Sequence, residues 1–289
     1  MSLTDAEASE LFRREPDRYV DVGAGEAALR SVGAGPDVLF VHGWPVSGAT
    51  FRRLLPHLVD HARCHVIDLP SAGWSRFDAT TPMSIAQHVE SVRRIVDHLD
   101  VERIAVVGHN SGGMIARHAM VGDPRLAGMG LVNTEPPDPS LRFRLFVAAR
   151  RSPGLATSLG WVCGQRWLRR SKFVFGDAFA DRSLLDGEFT EFFFDPLHED
   201  RAKRDAAAAL LKSFDLDDVT SLPAIHARLD VPVKLVWGAR DPFFPVERAQ
   251  AMVKQFPNAS IEVLPDAGLF SHEENPAAVA KALLPTLNG

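Results

Sequence analysis

Val106-Val107-Gly108-His109-Asn110-Ser111-Gly112-Gly113 runs from a β-branched apolar stretch into Met114-Ile115-Ala116-Arg117, which reads as the start of a helix. Small residues on both sides of position 110 permit a sharp strand-to-helix turn that lifts one side chain above a sheet. Counting from Gly108 and Gly112, that side chain belongs to Asn110. On either side of the turn, short β-branched runs alternate with longer helical patterns, as in βαβ units of a mainly parallel sheet. Strands are expected at 37–41, 65–68, 103–108, 128–132, 231–237 and 260–264, after an antiparallel hairpin around 18–32. A helix is expected from Ser84, which forms a capping box with Gln87, because Ile85, Val89, Val92, Val96 and Leu99 follow helical spacing. Asn275-Pro276 opens the last helix, with Asn as N-cap and Pro in the first turn. The alternation breaks over 136–225, where the sequence turns helical and rich in Arg and Phe. This stretch holds ten of the eighteen phenylalanines. Such enrichment suits an apolar roof over a pocket, or the packing of a small helical subdomain.

Two further motifs extend the reading. Val41-His42-Gly43-Trp44-Pro45 follows a buried strand and aims the Trp44 N–H at a place where oxyanion charge could develop. With the turn at Asn110, it gives the chain a resemblance to the α/β-hydrolase superfamily, in particular its haloalkane dehalogenase, epoxide hydrolase and esterase branch. The resemblance implies an α/β-hydrolase fold: a mostly parallel eight-stranded sheet flanked by helices. Residues 1–135 and 226–289 would form the core domain and 136–225 a helical cap. It also implies site residues. Asn110 stands where relatives carry a Ser or Asp nucleophile, and has neither a displaceable hydroxyl proton nor a carboxylate charge. Asp241, just past a strand, matches the triad acid that orients a histidine. The histidine position, seven residues before Pro276, is filled by Leu269. His272 lies three residues further on, about one helical turn, and is a candidate replacement base. Glu135 resembles the acid position of part of the dehalogenases and is expected at the end of the sixth strand. The backbone N–H groups of Trp44 and Ser111 are the expected oxyanion donors. His42, His109 and Leu269 are counted with them as oxyanion or substrate-binding residues.

Some signals weigh against particular chemistries. The one tyrosine, Tyr19, lies outside the cap, whereas epoxide hydrolases of this fold use cap tyrosines. Many dehalogenases carry a halide-stabilising Trp directly after the turn residue. Ser111 stands there, so Trp44, or cap Trp161 or Trp167, would have to substitute. Gly23-Ala24-Gly25 superficially resembles a dinucleotide fingerprint but is followed by an alternating run rather than a helix. The eleven histidines show no metal-binding spacing, so neither metal nor cofactor is expected. A net charge of −5 gives no general pull toward nucleic acid or anionic membrane, and the two cysteines, Cys64 and Cys163, form no disulfide framework. Met1 to Glu15 is charged and lacks the apolar core of a signal peptide. A cytoplasmic protein with a small-molecule substrate, and with neither nucleic acid nor membrane as partner, is expected; the oligomeric state is not legible. Three readings fit the two replaced positions. One is an enzyme of hydrolase ancestry acting on a small, largely apolar molecule, with a degenerate or engineered triad. Another is an enzyme repurposed for elimination, cyclisation or isomerisation. The third is a non-catalytic binder.

Overall fold

A computed structural model describes residues 3–172 and 174–287. Eight strands, β1 (Arg18–Asp21), β2 (Glu26–Gly33), β3 (Asp37–Val41), β4 (Arg63–Asp68), β5 (Ile104–His109), β6 (Leu126–Val132), β7 (Val233–Gly238) and β8 (Ala259–Leu264), make one sheet. Their order is β1-β2-β4-β3-β5-β6-β7-β8. The β1–β2 and β2–β4 pairs are antiparallel and the rest parallel. Central strand β5 is buried at every position, which is why it reads as a continuous apolar run rather than an alternating one.

The helix Ile85–Leu99 buries Ile85, Val89, Val92 and Val96. Ser84 Oγ accepts from the Gln87 N–H at 3.1 Å, but the Gln87 side chain donates to Val22 O instead of returning to Ser84. The expected capping box is thus half made, because a tertiary acceptor captured the amide. At the other end, Asn275 Oδ1 accepts from the Ala278 N–H at 3.3 Å, as an N-cap for the helix Pro276–Leu287. Helix Ser111–Met120 packs so tightly under the sheet that a Cβ at Gly112 would collide with Val41 O, so only glycine fits there.

Between β6 and β7 the described residues form helices and no strand. Leu141–Ala149, Leu155–Gly164 and Arg201–Ser213 are the longest, and Thr190–Phe194 is a π-helical turn. Most of the described phenylalanines of this insertion serve one of two roles. Phe179, Phe189, Phe193 and Phe194 pack on one another, with ring centroids 4.7 to 5.4 Å apart for the touching pairs. Phe143, Phe146, Phe175 and Phe214 face a cavity. The cavity lies beyond the carboxyl ends of the parallel strands, the usual place for a ligand in an open α/β sheet. No helix among the described residues is long and apolar enough to cross a membrane.

Candidate active site

The cavity encloses about 750 Å³. Trp44 reaches it from the loop after β3, Asn110 from the turn after β5, Glu135 from the segment after β6, and Leu269 from the loop after β8. Most of the remaining wall is aromatic and aliphatic, with Arg142, Ser158, Lys172 and Asp177 contributed by the insertion. Sequence reasoning missed these four. A surplus of Arg in 136–225 was visible, but nothing in its spacing says which members turn inward.

Asn110 has φ 51° and ψ −136°, a left-handed-side conformation that costs a non-glycine residue about 1–3 kcal/mol. The Asn110 N–H donates to Asn133 O at 3.1 Å, and its carbonyl accepts from the Gly113 N–H at 2.9 Å. The side chain folds back. Its Oδ1 accepts from the Ser111 N–H at 2.5 Å. Gly43 makes room for it: a Cβ there would sit 2.9 Å from Oδ1 and 2.5 Å from Asn110 Cβ. The Trp44 N–H in turn donates to Ser111 Oγ at 3.0 Å. Both backbone donors expected to stabilise an oxyanion are therefore occupied by the protein's own oxygens. With Oδ1 committed, Asn110 presents its amide NH₂, which has no acceptor among the described residues. Rotating the amide would set Nδ2 against the Ser111 N–H, donor against donor, so the orientation is fixed by its neighbour.

Glu135 lies three residues beyond the end of β6, not at its last residue as the sequence reading had it. It is almost wholly buried yet lines the cavity. Oε2 lies 2.9 Å from Thr134 Oγ, whose one proton it shares with Asn110 O at 2.8 Å, while Oε1 has no partner among the described residues. Burial raises the pKa of Glu135 above the ordinary glutamate value of 4.5, with the nearby Arg117 guanidinium opposing that rise. Arg117, fully buried on the helix below, donates to Gly113 O, Glu135 O, Thr134 Oγ and His226 Nε2 at 2.9 to 3.0 Å. Burial draws its pKa down to about 10, so it stays charged at neutral pH.

The other named residues do not border the main cavity. Asp241 Oδ1 accepts from the Phe243 and Phe244 N–H groups at 2.8 and 3.0 Å, and Oδ2 from Asn133 Nδ2 at 2.8 Å. Burial pushes its pKa up to about 7 against those three donors. Asn133, absent from the sequence reading, ties the strand ends together: its Oδ1 also accepts from the Gly238 N–H and Ser271 Oγ. His272 turns away from the cavity. Its Nε2 shares a hydrogen bond with Thr50 Oγ at 2.8 Å and its ring packs tilted against His109, centroids 4.3 Å apart. Burial first, then the His109, Arg52 and Arg53 neighbours, drive its pKa well below the ordinary histidine value. The short helix Ser271–Glu274 carries the ring behind the wall rather than over it, so the expected replacement base is not in reach. His109 donates from Nε2 to Leu269 O at 3.1 Å, and burial lowers its pKa to about 3. His42 accepts the Leu69 N–H on Nε2 and donates from Nδ1 to Gly43 O, bracing the turn that carries Trp44. Ser111 is buried and spends its hydroxyl on the Trp44 N–H.

The expected stand-ins for a halide-binding indole do not serve either. Trp44 Nε1 donates to Ala207 O at 2.9 Å, and Trp161 and Trp167 point outward, 55% and 68% exposed.

Comparisons with known proteins place the chain in a family. The pimeloyl-[acyl-carrier protein] methyl ester esterase of Chromobacterium violaceum is 27% identical over 256 residues, 86% of this chain and 93% of that protein. The magnesium-chelatase 30 kDa subunit of Rhodobacter capsulatus is 37% identical over only 90 residues, 31% of this chain and 32% of that protein. Among solved structures, an alpha/beta hydrolase fold protein from Burkholderia ambifaria superposes with a TM-score of 0.77 at 24% identity, over 94% of this chain and 98% of that one. A meta-cleavage product hydrolase from Pseudomonas fluorescens gives 0.77 at 17% identity, over the same shares. At such identities the structures speak to the fold alone, but residues 38–282 also match the sequence model of the alpha/beta hydrolase family. The chain belongs to that family.

Proposed function

We propose that this protein is an enzyme of hydrolase ancestry that acts on a small, largely apolar, carbonyl-bearing molecule by proton transfer, without a covalent intermediate. The observation that carries the reading is the Glu135 carboxyl: on the cavity wall, with one oxygen unpaired and a pKa raised by burial. A carboxyl so placed suits general acid–base work near neutral pH. Asn110, through its free NH₂, is the partner that would hold a carbonyl oxygen and stabilise an enolate as charge develops there. The cavity's aromatic wall would exclude water and select apolar substrates. The relatives named as methyl ester esterases support a carbonyl-bearing substrate class. Acyl transfer is disfavoured, since position 110 carries no nucleophile, Leu269 no proton acceptor, and the two oxyanion N–H groups are taken.

The test is α-proton exchange of 2-heptanone, 2-nonanone and acetophenone in heavy water, followed by NMR. The native protein is expected to accelerate exchange, with a pH profile whose rise lies above 4.5. Glu135→Gln should lose roughly 100-fold or more, the usual worth of a general base, and Asn110→Ala less than that. Exchange unchanged in Glu135→Gln, or saturable ketone binding with no exchange, would overturn the proposal; the latter outcome would leave a binding protein. Hydrolysis of p-nitrophenyl butyrate that disappears in Asn110→Ala would restore the hydrolytic reading.

A further inference from the structure

Residues 139–176 contain eight Arg and Lys and no Asp or Glu, in a chain whose net charge is −5. The whole-chain average therefore hides a cationic stretch, and it forms the helices around the cavity mouth. Leu145, Ala149, Ser158 and Lys172 each line the cavity and are exposed, which places the opening between Leu141–Ala149 and Leu155–Gly164. Exposed large hydrophobics stand on these two helices and on the short helix Arg166–Arg169 that follows them. Leu141, Leu145, Trp161 and Trp167 are 72%, 62%, 55% and 68% exposed, and among the described residues only Trp74, at 37%, joins them as an exposed large hydrophobic. Leu141 lies one helical turn from Leu145, and Trp161 one turn from Ser158, so the apolar surface is continuous with the mouth.

Some of the positive charge is answered internally. Arg142 pairs with Asp177, Arg150 with Asp215, and Arg166 and Arg170 with Asp186. Asp177 is shared with Arg182 from outside the stretch, and Arg169 is buried. Arg144 and Arg151 are exposed and have no carboxylate partner among the described residues. Exposed indoles and leucines beside arginines are the composition of a surface that settles into the headgroup region of an anionic bilayer. Trp sits at the interface, Leu enters the acyl boundary, and Arg meets lipid phosphates.

We propose that this face docks the protein on an anionic lipid surface, so that an apolar molecule passes from the bilayer into the cavity without crossing water. A bilayer fits better than an acidic protein because four of the cations are already paired and what surrounds the mouth is chiefly apolar. The inference does not depend on the chemistry assigned to Glu135.

The experiment uses the full chain with vesicles of phosphatidylcholine alone and of phosphatidylcholine mixed with phosphatidylglycerol, read by co-sedimentation and by the blue shift of tryptophan emission. Binding to the anionic vesicles should exceed binding to the neutral ones several-fold, falling with salt. The double variant Trp161→Ala/Trp167→Ala should lose roughly ten-fold on both, since it removes the inserting groups. Arg144→Glu/Arg151→Glu should erase the preference for anionic lipid. All four positions are exposed, and circular dichroism melting curves equal to the native one establish that the variants fold. A chain that stays in the supernatant with both vesicle types overturns the proposal. So does binding unchanged by the Trp variant, or a dimer in sedimentation analysis that Leu145→Asp dissociates, which would assign the face to a second copy.

Discussion

Asn110 Oδ1 takes from the Ser111 N–H the hydrogen bond that a developing oxyanion would otherwise receive, and Ser111 Oγ does the same to the Trp44 N–H. Two polar contacts thus occupy both of the backbone donors that the sequence marks for an oxyanion. The strained turn at residue 110 survives although no nucleophile needs presenting, which fits a side chain that still works on a ligand. Restoring a serine alone should accomplish little. Asn110→Ser frees the Ser111 N–H but leaves Leu269, which cannot accept the serine proton, and Asp241 remains bonded to Asn133 and two backbone amides. The double variant Asn110→Ser/Leu269→His supplies nucleophile and base together. It is expected to hydrolyse p-nitrophenyl butyrate at least about 100-fold faster than either single variant, because such groups act as a unit. Equal rates for the double and single variants would mean that the rest of the pocket no longer supports acyl transfer. The turn itself was legible in the sequence, since its glycine spacing is dictated by backbone crowding. The capture of the two N–H groups was not, because it depends on side-chain rotamers that no spacing encodes.

One helix does more than fill space. Ser111–Met120 carries Arg117 into the interior, where four acceptors from the helix itself, the segment after β6 and His226 receive its N–H groups. It fixes Thr134 and the backbone of Glu135, and its charge restrains the rise in Glu135's pKa. Arg117→Leu would leave Glu135 buried without a countercharge and several acceptors unpaired. The expected loss is about 3–5 kcal/mol in urea unfolding, the cost of breaking a buried ionic network from one side. A loss below about 1 kcal/mol would show that water or a rearranged neighbour replaces the guanidinium. In the sequence Arg117 was simply the fourth residue of a helical run. Elements of strong periodicity were readable to within a residue or two: the strand expected at 128–132 is observed as Leu126–Val132, and that expected at 231–237 as Val233–Gly238. What lies past a strand end was not, because there tertiary hydrogen bonds set the path. Glu135 is the case in point, three residues beyond its strand; inside a helix, the Gln87 side chain was equally unreadable, bonded to Val22 O rather than to its own N-cap.

At the scale of the whole molecule, the parallel strands deliver Trp44, Asn110, Glu135 and Leu269 to one cavity, while the same loops bury a set of neutral histidines behind it. That set escaped the sequence reading. Eleven scattered histidines give no sign of which will be enclosed, and His272 and His109, both candidate site residues in the sequence, are fully buried with their rings tilted against each other. Their burial has a consequence for stability. The folded-state pKa of His109, about 3, lies below its unfolded value near 6.5, because burial disfavours the imidazolium. The unfolded chain therefore binds the proton first as pH falls. The stability that His109 contributes is complete above 6.5 and is lost progressively between there and about 3. Raised carboxyl pKa values, that of Asp241 among them, act in the opposite sense over part of this range, so the slope of the native protein alone does not isolate the histidine. A difference measurement does. His109→Phe keeps a ring against Phe270, 4.9 Å away, but leaves Leu269 O without its donor, a cost that does not vary with pH. The stability gap between native and variant, from urea unfolding at about pH 7.5 and about pH 5.5, should narrow by about 1.4 kcal/mol at the lower pH. A gap that stays constant, or widens in acid, would mean that His109 is charged in the folded protein and that the imidazoles behind the cavity share a proton instead of excluding one.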